Sequence, residues 1–145
     1  MPKNEYEIFW DIFLTKLKDN GSDIMSERTA SKKHYQQTKG KTHLCASLRK
    51  SDSFVQLCIE SKDKLENKEK YFRLLTEKEK IHKKFGEELI WEEKENNIRC
   101  TVSSKSLNIG IDEISRRTEL QDLLAIQLIK LDYSLKEYYS WLGLA

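Results

Sequence analysis

Apolar residues in this 145-residue chain switch twice from helical spacing to strict alternation and back, which confines the fold to mixed helix and strand. Tyr6, Phe9, Trp10, Phe13, Leu14 and Leu17 share one helical face, with Asn4 and Glu7 placed to cap it and Gly21 to end it. Thr42, Leu44, Ala46 and Leu48 then alternate with His43, Cys45 and Ser47, as in a half-buried strand. Residues 49–53 make a polar turn, and Val55, Leu57 and Ile59 alternate again, so an antiparallel hairpin is expected. Asp63 and Glu66 open one long helix that Gly86 closes, with Leu65, Phe72, Leu75, Ile81 and Phe85 facing the core and Tyr71 and Leu74 beside them.

Leu89, Ile90 and Trp91, then Ile98, Cys100 and Val102, form a second hairpin. Residues 103–117 lack a clear period beyond a helical turn near Asp112. The last helix has Thr118 and Gln121 as a capping box and carries Leu120, Leu124, Leu128, Leu131, Leu135, Tyr138 and Leu142, a stripe widened by Ile126, Ile129 and Tyr139. The order helix, hairpin, helix, hairpin, helix gives an α+β fold, a four-stranded, mostly antiparallel sheet packed by three main helices.

This length suits a single domain over residues 1–145, with residues 21–40 expected to form a flexible basic loop. No apolar run reaches the ~20 residues of a membrane span, and the N-terminal sequence lacks a signal peptide's layout, so a cytoplasmic chain is expected. Cys45, Cys58 and Cys100 are odd in number and lack CxxC spacing, which argues against a disulfide framework and for buried thiols.

Charge is distributed unevenly. Residues 28–51 hold seven bases (Arg28, Lys32, Lys33, Lys39, Lys41, Arg49 and Lys50) and no acid, and without those seven the total of 26 Lys and Arg falls below the 24 Asp and Glu. Such a segment suits phosphate, with Tyr35 and His34 available to stack or hydrogen-bond. A solvated loop and a surface for an acidic protein partner are the competing readings.

Asn67-Lys68, Phe72, Leu75, Lys78, Ile81, Gly86, Leu89, Trp91 and Ile98-Arg99 follow a pattern that resembles the bacterial domain of unknown function 4268. Its most specific part is Gly-x-x-Leu-x-Trp; the final pair stands in reversed order here. Members of that family often follow a PD-(D/E)xK-like nuclease domain. The resemblance implies a DNA-defence or DNA-maintenance setting, with no catalytic residues to carry over, and the expectation is a stand-alone bacterial or phage-borne member.

Glu60 and Lys62 form an ExK triplet, which in metal-dependent nucleases supplies a metal-binding carboxylate and a water-orienting lysine. The second carboxylate would be Asp52, roughly 25 Å away along an extended strand, too far for one metal ion. His43 and Cys45 share a strand face, but two ligands are too few for a zinc site, so neither metal nor cofactor is expected. The expected function is a non-enzymatic binding or assembly module contacting nucleic acid through residues 28–50. The alternatives are a protein-interaction module dimerising through Leu124, Leu128, Leu131, Leu135, Tyr138 and Leu142, or a small nuclease using Glu60 and Lys62. Expected partners are accordingly nucleic acid, a protein of a nuclease or defence system, or a second copy of the chain, and not a membrane.

Overall fold

The computed structural model describes residues 4–22, 34–36, 42–93 and 99–144. Helix α1 spans Glu5–Asp19; the Asn4 side chain accepts from the Glu7 amide at 3.0 Å, and Gly21 follows the helix with a φ of 76°. The expected start and stop both stand. β2 (His43–Leu48) and β3 (Ser53–Ile59) form the first hairpin, and β4 (Ile90–Glu92) pairs antiparallel with β5 (Cys100–Ser103). A further short strand, β1 (His34–Gln36), pairs antiparallel with β2. The sheet therefore gains a fifth strand, in the order β1-β2-β3-β5-β4. The fold is α+β, as expected.

β2 is buried at all six positions, so the half-buried reading is corrected. As an interior strand, β2 has hydrogen-bonded neighbours on both sides. Leu44, Ala46, Leu48, Val55, Leu57, Ile59, Cys100 and Val102 join the helices in one core cluster. The opposite face carries His43, Cys45, Ser47, Gln56, Cys58, Thr101 and Ser103.

The middle helix is two helices, α2 (Lys64–Leu75) and α3 (Lys78–Phe85). Asp63 caps α2 by accepting from the Leu65 and Glu66 amides. The core face differs from expectation: Tyr71, Leu74, Ile81 and Phe85 point inward, while Leu65 is 72% and Phe72 47% exposed. Within α2, Leu65 stands nine residues before the buried Leu74, about two and a half turns, so the two cannot share a face. The His82 Nε2 accepts from the Leu89 amide (3.2 Å) and the Trp91 indole (2.8 Å), tying the start of β4 to α3.

Helix α4 (Arg117–Leu135) begins after a 3-10 turn at Ile114–Arg116, and the chain ends through a second such turn at Lys136–Tyr138 and the short helix α5 (Tyr139–Leu142). No side chain caps α4, which corrects the Thr118–Gln121 box; Gln121 instead turns inward and donates to the Phe9 carbonyl at 3.1 Å. α4 packs against α1, α3, β2 and β3. Residues 104–112 are pinned to the first hairpin: the Ile111 and Asp112 amides donate to the Arg49 and Lys50 carbonyls, and Ser53 Oγ donates to the Ile109 carbonyl.

Gly110 lies where a Cβ would overlap the Lys50 carbonyl and the Ser51 nitrogen. Gly110→Ala is expected to cost more than about 2 kcal/mol in urea denaturation, because backbone cannot yield as a side chain can. Leu131→Ala should cost about 2–5 kcal/mol.

Candidate functional site

Pairing across the sheet sets two rows on its second face. The register places His43 opposite Cys58, Cys58 opposite Thr101 and Thr101 opposite Glu92. The adjacent row runs Gln36, Cys45, Gln56, Ser103 and Ile90. Strand alternation then brings His43 and Cys45 beside Cys58. One donor atom from each of these three lies within 4.8 Å of the others, and all three residues are buried. Two ligands were visible on β2 in the sequence; Cys58 is the third. With Leu48 opposite Ser53, counting back from the turn puts Cys58 across from His43, so the signal was present in the hairpin.

The cluster is polarised. A hydrogen bond from Cys45, then contacts with His43, lower the Cys58 thiol against the opposing effect of burial; the same bond and burial raise Cys45. The positive charge of Arg99 favours the thiolate at both positions. As a thiol, Cys58 donates to Gln56 Oε1 at 3.0 Å, and Gln56 Nε2 donates to Ser103 Oγ at 2.8 Å. Thr101 Oγ1 is buried and has no hydrogen-bond partner among the described residues. Beside this network a cavity of about 290 Å³ opens, lined in part by Arg49, Phe54, Gln56, Ile90 and Ser103. All three cysteines are free and buried, as expected, and Cys100 belongs to the apolar core instead.

Only some of the other candidate residues are described. Arg28, Lys32, Lys33, Lys39 and Lys41 lie outside the described residues, as do the side chains of His34 and Tyr35, whose backbone forms β1. Lys50 is exposed at the hairpin turn. Arg49 is also exposed, but it is ion-paired with Asp52 and stacks 5.1 Å from the Phe54 ring centre, so it is not a free cation for phosphate. That pair also occupies the carboxylate a nuclease would need. Asp52 precedes β3 and Glu60 follows it, at opposite ends of a seven-residue strand. Glu60 and Lys62 instead line a cavity of about 340 Å³ with Glu66 and Lys70, which are ion-paired to each other at 3.0 Å.

Leu124, Leu128, Leu131, Leu135, Tyr138 and Leu142 are all buried within the chain's own core. The alternative of a dimer seam through these residues is thereby corrected: these side chains cover the sheet and its neighbouring helices. Ile126 and Tyr133 are the exposed large hydrophobics of α4.

A family model described as a domain of unknown function (DUF4268) matches residues 6–139. Neither the curated proteins nor the solved structures contain a match to the chain.

The Cys58 thiolate should form at lower pH in the folded chain than in urea, where ordinary thiols titrate near about 8.5. Its contribution to stability is full above that range and is lost as pH falls through the lowered value. Thiolate ultraviolet absorbance followed against pH should show this early step, and Cys45→Ala should move it upward, because the largest cause of the lowering is gone.

Proposed function

We propose that this chain, which belongs to the DUF4268 family, is a non-enzymatic binding module that contacts nucleic acid through its basic segment. One observation carries the reading. β1 lies inside that segment, and its pairing with β2 fixes the backbone of His34–Gln36 to the edge of the sheet. His34, which follows Lys32 and Lys33 in sequence, pairs with Ser47, two residues before Arg49. The turn bearing Lys50 is itself held by backbone bonds from Ile111 and Asp112. A cationic run anchored at a sheet edge loses less freedom on binding phosphates than an unattached tail would. Family resemblance adds a DNA-defence or DNA-maintenance setting, with a nuclease or defence protein as neighbour.

Fluorescence anisotropy with labelled single- and double-stranded DNA tests the proposal. Binding should weaken steeply as salt rises. Replacing Lys32, Lys33, Lys39 and Lys41 by Glu should abolish it at moderate salt while circular dichroism stays unchanged. Replacing the same four by Ala should reduce the logarithmic salt slope by about 3 to 4. Arg49→Ala should change the affinity little, because Asp52 already holds that guanidinium. Absence of binding at low salt, or unchanged binding by the four-Glu variant, would overturn the reading.

A further inference from the structure

We propose that His43, Cys45 and Cys58 bind one zinc ion across the β2–β3 strand pair. The proposal does not depend on nucleic-acid binding. Zinc favours imidazole nitrogen and thiolate sulfur, at about 2.0 and 2.3 Å respectively, which sets donors roughly 3.6–3.8 Å apart around a tetrahedral ion. The three donor atoms here already lie within 4.8 Å of one another. Small side-chain rotations close the difference, and the backbone is held by the ladder on both sides of β2 and β3.

Charge balance also fits. Two thiolates neutralise a divalent ion, leaving a neutral centre that can be buried without a large desolvation cost. A loaded site would also rearrange the hydrogen bonds around Cys58. Without metal, the Cys58 thiol donates to Gln56 Oε1 at 3.0 Å, and a thiol is a weak donor. With metal, the Cys58 thiolate becomes an acceptor; a half-turn of the Gln56 amide then donates Nε2–H to that sulfur, and the Ser103 hydroxyl donates to Oε1. Ser103 serves both arrangements because a hydroxyl donates and accepts. Such supporting bonds hold metal ligands in place.

The fourth position is not filled by a fourth His, Cys, Asp or Glu among the described residues. An independent observation points to what occupies it. Thr101 is paired with Cys58 on the neighbouring strand, on the same face, and its Oγ1 is the buried polar atom left without a partner there. A zinc-bound water donating to that oxygen would satisfy it. Three protein ligands plus water describes an open site, able to take a small anion or thiol in exchange for the water. The ion would also pin the sheet where the chain enters β2 from the basic segment.

The test uses the full chain, reduced and freed of metal by chelator. Cobalt(II) titration of this folded protein should give a thiolate-to-metal charge-transfer band and tetrahedral ligand-field bands. Both should saturate at one ion per chain, and zinc should bleach them. Zinc should also raise the melting temperature. Cys58→Ser and His43→Gln should each weaken cobalt binding at least about tenfold, whereas Cys100→Ala should leave it unchanged. Gln56→Leu should lower affinity about 10–100-fold while keeping the charge-transfer band. A folded wild-type chain that develops no charge-transfer band overturns the proposal even if the cysteine variants fail to fold. So does an unaltered spectrum in folded Cys58→Ser, or a reduced chain that takes up no zinc and merely forms a Cys45–Cys58 disulfide in air.

Discussion

The antiparallel pairing of β2 with β3 is the constraint on which the remainder of this protein rests. β2 is buried on both faces, whereas Phe54 and Gln56 on the second face of β3 are half-buried, and the two faces do different things. One presents Leu44, Ala46, Leu48, Val55, Leu57 and Ile59 to the helices and forms the floor of the core. The other lines up His43, Cys45, Gln56 and Cys58. A one-residue slip in this pairing would exchange the faces, setting the polar cluster against the apolar helices and turning the aliphatic row away from them. The register is therefore strongly specified, and the polar cluster inherits its geometry from the need to bury apolar surface.

The helices answer to the same floor. α1 contributes Phe9, Trp10 and Phe13, whose rings meet edge to face at 5.1 and 5.3 Å, and α4 lies between α1 and the sheet. The long leucine stripe of α4 looked too wide for a small sheet. It is consumed because α4 touches α1, α3 and two strands at once, which leaves Ile126 and Tyr133 as its exposed large hydrophobics. Segment 104–112 closes the hairpin end, and Gly110 is what allows its backbone to approach Lys50 and Ser51 so closely.

Much of this was legible locally. Asn4 and Asp63 cap their helices because an acceptor side chain one turn before an apolar run satisfies free amides regardless of what surrounds it. The middle segment was misread at its face: Leu65 and Phe72 are large and apolar, yet within α2 helical geometry sets them opposite the buried Leu74. Gln121 looked like a capping residue and is buried against Phe9, a role visible only once α1 and α4 are packed. Cys58 falls between these cases. Its face follows from alternation and its partner from the turn, so the His-Cys-Cys arrangement could be counted from sequence, whereas its approach to Thr101 could not.

By itself the sequence determined the order of the main helices and strands, the caps of α1 and α2, the two hairpins and the uneven charge, because periodicity, turn chemistry and composition act over a few residues. Only the tertiary structure decided that β3 neighbours β5 instead of β4, that β1 adds an edge strand, and that Arg49 is already held by Asp52. Strand adjacency pairs backbone groups far apart in the chain. Any exposed edge offers the same amide and carbonyl groups, so the choice among edges falls to the packing of the helices above the sheet.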